Sequence, residues 1–160
     1  MKYSGIIFND ISAAPGLCVT LFTQGCPHRC PGCHNPETWS FEGGKDFTLD
    51  TMEEIINGLK AQGIQRNFCV MGGEPLCEEN ALLTYTSISR VKMDLPETKV
   101  YVWTGYTLEE LKQSNNLYIQ ECLKIIDVLI DGPYIESERD ITLPMRGSRN
   151  QRVIDLTKNF

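Results

Sequence analysis

Positive charge is scarce in this sequence: 15 Lys and Arg stand against 21 Asp and Glu in 160 residues, a formal charge of −6. A protein that binds a phosphate backbone needs clustered cations to displace counterions, so nucleic acid is excluded as a partner and a protein partner is not. Long apolar runs are missing too. Near the start only Ile6-Ile7-Phe8 are apolar in a row before Asn9 and Asp10 interrupt. A signal peptide needs a longer apolar stretch, and a spanning helix about 20 residues. The expectation is therefore no membrane segment and a cytoplasmic protein. Repeats, low-complexity blocks and linkers are also lacking, so residues 1–160 read as a single domain with room for one core. With 41% hydrophobic and 22% charged residues, disorder is excluded as a class.

Cysteine is the residue that is not lacking: there are 7. The cytosol keeps thiols reduced and an odd number cannot pair off completely, so metal or redox chemistry is favoured over a disulfide framework.

The chain alternates two kinds of segment. Leu17–Phe22 reads as a buried strand entered through Pro15-Gly16. A loop of Cys, Pro, Gly and His runs from Gly25 to about Pro36. A helix opens near Phe47–Asp50, with Thr48 or Asp50 as cap and Met52, Ile55, Ile56 and Leu59 on one face. Strand Asn67–Met71, helix Glu78 to about Val91 and strand Lys99–Trp103 follow. Short helices at Leu108–Leu111 and Tyr118–Ile125, strand Asp127–Ile130 and a last strand Arg152–Leu156 complete the reading. Ile55, Leu59, Leu82 and Leu83 are expected in the core. Such alternation implies right-handed βαβ crossovers and a mostly parallel sheet. Each strand hands over to a Gly-, Pro- or Cys-rich segment, and α/β folds build their sites at that edge. A complete eight-stranded barrel needs ~200 residues or more. The expected fold is thus α/β, a partial (open) (β/α) barrel, with an open doubly wound sheet as the competing architecture.

The strongest chemical signal is Cys26-Pro27-His28-Arg29-Cys30-Pro31-Gly32-Cys33, a C-x₃-C-x₂-C spacing just after a strand. Thiolates so spaced in a loop can converge on one soft metal centre. A structural zinc would need a fourth ligand from His28, His34, Cys18, Cys69 or Cys77, since no second C-x₂-C exists. A three-cysteine iron–sulfur cluster needs no further ligand and leaves one iron open. Packing as small hydrophobes is the third reading, and gathering three thiols within eight residues of a Pro/Gly loop disfavours it. Spacing alone leaves cluster and zinc both open.

The same triad resembles the signature of the radical S-adenosylmethionine (SAM) superfamily. Met71-Gly72-Gly73-Glu74-Pro75-Leu76 is similar to its GGEP motif. Asn35-Pro36-Glu37-Thr38-Trp39, Tyr101–Tyr106, Leu129–Tyr134 and Arg146-Gly147-Ser148-Arg149-Asn150-Gln151 resemble stretches of the anaerobic ribonucleoside-triphosphate reductase activating proteins, in family order. The resemblance spans most of the chain from Gly16 to Ile154 and implies a barrel of the radical SAM type. The residue before the third cysteine is commonly aromatic in the superfamily; here it is Gly32, as is usual in the activating proteins.

The resemblance implies a 4Fe-4S cluster on Cys26, Cys30 and Cys33, the metal-binding and catalytic residues, whose open iron chelates the amino and carboxylate groups of SAM. Electron transfer into the sulfonium breaks a C–S bond to give a 5′-deoxyadenosyl radical. The radical takes a hydrogen from a glycine on the large subunit of anaerobic ribonucleoside-triphosphate reductase and leaves a stored glycyl radical there. A one-electron donor such as flavodoxin is implied as second partner. Backbone around Gly32, Cys33 and His34 is expected to hold adenine. Gly72 and Gly73 let backbone approach SAM, and Glu74 would accept a hydrogen bond from its ammonium. Without the triad, Gly-Gly-Glu-Pro would read simply as a turn. Thr104 and Asp131 would approach the SAM carboxylate, directly or through a monovalent cation; the bland reading is two turn residues. Arg146, Ser148 and Asn150 would donate to ribose or carboxylate. Arg146 and Arg149 alternatively grip the partner or form a solvated basic patch. His28 and His34 are expected to face solvent or hydrogen-bond within the loop, because a fourth protein ligand would block SAM. Trp39 and Trp103 are expected to pack. Cys69, Cys77 and Cys122 match no ligand and read as core or surface thiols, and Cys18 as a strand residue near the site. Two other functions remain beside this one: activation of another glycyl-radical enzyme of the pyruvate formate-lyase type or radical chemistry on a small molecule, and a zinc-binding module without catalysis.

Overall fold

A computed structural model describes residues 1–33 and 36–158. His34 and Asn35, expected near adenine and in the Asn35–Trp39 motif, lie outside the described residues. Seven strands form one sheet: β1 (Lys2–Asp10), β2 (Cys18–Thr23), β3 (Lys45–Asp46), β4 (Asn67–Gly72), β5 (Val100–Trp103), β6 (Val128–Asp131) and β7 (Arg152–Asp155), in the spatial order β3-β1-β2-β4-β5-β6-β7. Four helices accompany them: α1 (Leu49–Lys60), α2 (Ala81–Asp94), α3 (Leu108–Lys112) and α4 (Leu117–Ile125). No helix among the described residues is long and apolar enough to cross a membrane.

The four central strands β2, β4, β5 and β6 are parallel, whereas β1, β3 and β7 join antiparallel at the edges. The sheet is therefore mixed and open, which corrects the expectation of a mostly parallel one. The reason lies in β1. Its residues Ile6 and Phe8 pack on the core while Ile7 is 47% exposed, so only half of a polar-interrupted run is buried. That is the pattern of an antiparallel edge strand, and it carries a weak sequence signal. Register irregularities between Tyr3 and Gly5 and between Ile7 and Asp10 bend it further.

Residues alternate strictly along the central strands. Val19, Leu21, Phe68, Val70, Val100, Val102 and Leu129 point to one face, where they meet Ile55, Ile56, Leu59, Leu83, Ile88, Leu111 and Leu123 from all four helices. Cys18, Cys69, Tyr101, Val128 and Ile130 point to the other, where they meet only loop residues such as Ala13, Ala14 and Met145. A doubly wound sheet places helices on both faces; helices on one face set that architecture aside. Leu82 is 39% exposed and so is not the core residue expected.

Helix ends follow local chemistry. Thr48 caps α1 in a reciprocal box with Thr51, Thr107 caps α3 with Glu110, and the Asn116 side chain caps α4. α2 starts three residues later than the pattern suggests. The amides of Asn80 and Ala81 both bond the Cys77 carbonyl, and the Asn80 side chain is occupied elsewhere, as shown next.

Candidate active site

Parallel β2, β4, β5 and β6 bring their C-terminal ends to one sheet edge, and the loops beyond them enclose a cleft of about 500 Å³. Cys26, Cys30 and Cys33 line it after β2, Gly72, Gly73 and Glu74 after β4, Trp103, Thr104 and Gly105 after β5, and Gly132 and Tyr134 after β6. The C-terminal loop adds Met145, Arg146 and Gln151, and the neighbourhood of β1 adds Ile7, Asp10 and Ser12.

Hydrogen bonds stitch the first two loops together. The Glu74 amide donates to the Gly25 carbonyl at 2.8 Å. Asn80 Nδ2, 4% exposed as a residue, donates to the carbonyls of Gln24, Gly25 and Glu74. The backbones approach so closely at Gly73 that a Cβ there would run into the Gly25 carbonyl. The amides of Gly25 and Cys26 donate in turn to the carbonyls of Thr38 and Trp39, closing the cysteine loop on itself.

The triad suits an iron–sulfur group by its donor chemistry. Three thiols share one wall, and the amides of His28 and Arg29 bond the Cys26 sulfur. Burial outweighs those amides, with the Glu74 and Cys30 charges adding to it, and pushes the Cys26 thiol up to about 11. A cation at the sulfur would reverse that preference, because a metal-bound thiol is deprotonated. Among the described residues no three Cys, His, Asp or Glu side chains are already drawn to metal-binding distance. The remaining cysteines sit elsewhere: Cys18, Cys69, Cys77 and Cys122 are all buried, and burial raises each thiol, Cys77 and Cys122 to about 12.

Other expected contacts separate into two groups. Gly72, Gly73, Glu74, Thr104 and Arg146 line the cleft. Asp131, Ser148 and Asn150 are not in its wall. Asp131, 1% exposed, accepts from the Leu108 amide at the start of α3 and from Arg152 Nε at 3.0 Å, so it ties α3 and β7 to β6. Ser148 accepts from the Ile135 amide and donates to Asn150, whose Nδ2 reaches the Pro133 carbonyl. That pair joins the loop after β6 to the C-terminal loop. Gly32, with φ +77°, is not in the cleft lining; a Cβ there would meet Glu136 and Tyr134, the latter a lining residue.

Several cleft residues carry no motif. Asp10 accepts from Thr20 Oγ1 and from the Ser12 amide and hydroxyl, and these bonds outweigh burial to keep its carboxyl below the usual range. Trp103 Nε1 donates to the Met145 carbonyl at 2.8 Å, so it packs as expected while forming the wall. Trp39 Nε1 and Arg146 Nε are buried without a hydrogen-bond partner. Two orphaned donors on residues of one cleft leave it short of acceptors. His28, expected as a loop histidine, is bonded to Glu74 at 2.6 Å; only its place between two cysteines pointed to it.

Residues 13–154 match a family model described as a 4Fe-4S single cluster domain. A relative from Vibrio cholerae, named anaerobic ribonucleoside-triphosphate reductase-activating protein, is 40% identical over 152 residues, 94% of this chain and 96% of its own length. Proteins of the same name from Escherichia coli K12 and phage T4 are 37% and 39% identical, over 96% of this chain and 97% and 93% of theirs. With near-complete coverage in both directions, the chain belongs to the family of anaerobic ribonucleoside-triphosphate reductase-activating proteins.

Proposed function

We propose that this chain is a radical SAM activase that generates the glycyl radical of an anaerobic ribonucleotide reductase. The observation that carries the reading is that Cys26, Cys30 and Cys33 line the same cavity as Gly72, Gly73 and Arg146, at the C-terminal ends of the parallel strands. The full-length likeness to activating proteins supports the same target. When bound, a 4Fe-4S cluster held by the three cysteines would supply the electron that reductively cleaves SAM to a 5′-deoxyadenosyl radical. The chain's residues do the rest. Gly72 and Gly73 fit against the backbone of Thr23 and Gly25, where a Cβ would collide, and so hold the turn after β4 close beside the cysteine loop. Arg146 Nε and Trp39 Nε1 are donors awaiting acceptors, which the carboxylate and ribose of SAM would provide. Backbone at Gly32 and Cys33 remains the proposed adenine contact.

The sheet would serve as a partial barrel of the radical SAM type. Its helix-free face is covered by loops alone, which leaves a side entrance for the glycine-bearing loop of the reductase's large subunit. A one-electron donor such as flavodoxin and a cytoplasmic setting complete the reading. Anaerobic reconstitution with iron and sulfide is expected to load about four irons per chain. Mixing the loaded chain with reductase, SAM and reductant should then give a glycyl radical by electron paramagnetic resonance. A colourless protein holding one tight zinc, or a loaded chain that leaves the reductase radical-free, would overturn it.

A further inference from the structure

His28 stands between two cysteines of the triad, and its ring is held on three sides. Nε2 lies 2.6 Å from Glu74 Oε1. Tyr106 packs edge-on with ring centroids 4.5 Å apart. Gly105 lies against the ring, where any Cβ would collide with it. Glu74 in turn is 1% exposed and surrounded by donors. Oε1 accepts from His28 and from the Gly105 amide at 2.7 Å. Oε2 accepts from the Leu76 amide and the Thr104 hydroxyl, each at 2.8 Å. Thr104 Oγ1 itself accepts from the Tyr106 amide at 3.1 Å, which leaves its hydroxyl proton for Glu74. An ionised carboxylate offers about four acceptor positions and no proton. Each oxygen thus has two partners within the protein, His28 Nε2 among them, and the carboxyl group is engaged on both sides by the wall itself.

We propose that His28 is a positioning residue: through Glu74 it fastens the cysteine loop to the turns after β4 and β5. Glu74 then acts inside the wall and does not contact the SAM ammonium. The proposal rests on the activase reading above. Its logic is geometric. Cys26, Cys30 and Cys33 belong to the loop that carries His28, while Gly72, Gly73, Thr104 and Gly105 belong to the turns that Glu74 spans. The Glu74 carboxylate therefore adds a side-chain link to the backbone and Asn80 bonds that join the cysteine loop to the turn after β4, and extends that link to the turn after β5. A misplacement of about 1 Å in such a wall costs roughly 10²-fold in reactivity.

The test uses the full chain with three single variants. His28→Phe keeps a ring against Tyr106 and removes the donor. His28→Gln restores an N–H at comparable reach. Glu74→Gln brings an amide N–H against existing donors. In the metal-free chain, the His28 Nε2 proton should give a downfield, slowly exchanging nuclear magnetic resonance signal that Glu74→Gln abolishes. In the reconstituted chain, His28→Phe should keep its iron but bind SAM about tenfold more weakly. SAM-induced changes in the electron paramagnetic resonance of the reduced cluster report that binding. His28→Gln should return to within about threefold of the parent, and the double variant His28→Phe/Glu74→Gln should lose no more than Glu74→Gln alone. Multiplying losses would make Glu74 an independent ligand of SAM and overturn the proposal. So would a His28→Phe protein that binds SAM as the parent does, or a His28→Gln protein no better than His28→Phe. Failure of the activase reading looks different: the unaltered chain would hold no cluster while the His28 proton signal persisted.

Discussion

The two faces of the sheet are made from the same strands and differ in nearly everything else. Toward the helices, β2, β4, β5 and β6 present Val19, Leu21, Phe68, Val70, Val100, Val102 and Leu129, each fully buried against helix side chains. Toward the loops, the alternate positions are Cys18, Thr20, Cys69, Met71, Tyr101, Trp103, Val128 and Ile130, of which Met71 and Trp103 line the cleft. One face is a close-packed apolar layer that holds the fold. The other is a floor of thiols, aromatics and polar groups whose neighbours are glycines and hydrogen-bonded turns. The period of 2 along a strand lets one stretch of sequence serve both tasks. Stability and chemistry should therefore separate by residue parity, and substitutions can break or sharpen that division.

The largest expected effect is on the cleft side. Cys30→Ala removes one of three thiols from a half-buried loop position. It should abolish cluster retention and SAM cleavage while shifting chemical unfolding of the metal-free chain by no more than about 0.5 kcal/mol. Iron analysis beside a urea titration measures both halves. Phe68→Ala is the converse. Phe68 is fully buried on β4 among helix residues, and its truncation should cost about 3–5 kcal/mol by urea unfolding. Should Cys30→Ala destabilise the metal-free chain as Phe68→Ala does, the division between faces fails.

Legibility in the sequence follows the same division. The central strands announce themselves by apolar runs such as Val128-Leu129-Ile130, buried on both faces, and all four helices can be read from apolar spacing and turn residues. β1 could not, because Asn9, Asp10 and Gly5 break its pattern and only alternate residues such as Ile6 and Phe8 reach the core. Its absence from the reading made the sheet look mostly parallel. The cysteines and Gly72-Gly73-Glu74 stand out in the sequence because close backbone approach and soft-metal chemistry demand particular residue types, and the fold gathers them at one cleft. Asp131 and Asn150 could not be placed from sequence for a physical reason: a carboxylate or amide after a strand looks the same whether it reaches a cleft or, as here, bonds the first amide of α3 and ties a loop. Asp10, Ser12 and Trp39 were invisible as site residues since only tertiary folding brings them to the cleft.

Asn80 tests the boundary between the two faces. It is buried and polar at the head of α2, yet its amide reaches across to the cysteine and Gly-Gly loops. Asn80→Ala removes one donor from each of the three carbonyls, of which Gly25 keeps the Glu74 amide, and should lower stability by about 1–3 kcal/mol. It should also weaken iron retention on chelator challenge, which Phe68→Ala refolded at low temperature should not. A loss of stability with iron retention unchanged would assign Asn80 to the helix layer alone.

The smallest expected effect comes from neighbours on α2. Leu82 and Leu83 are adjacent in sequence and chemically identical, yet Leu82 is 39% exposed and Leu83 fully buried. Sequence places both in the core because α2 carries a continuous apolar pair where its stripe begins. The helix turns 100° per residue, and here Leu83 falls on the core side while Leu82 falls on the exposed one. Leu83→Ala should cost about 2–5 kcal/mol, and Leu82→Ala no more than about 0.5 kcal/mol. Paired urea titrations of the metal-free chain give the difference directly. Equal costs would mean that something covers Leu82 in solution, and the helix layer would then have a second packed side.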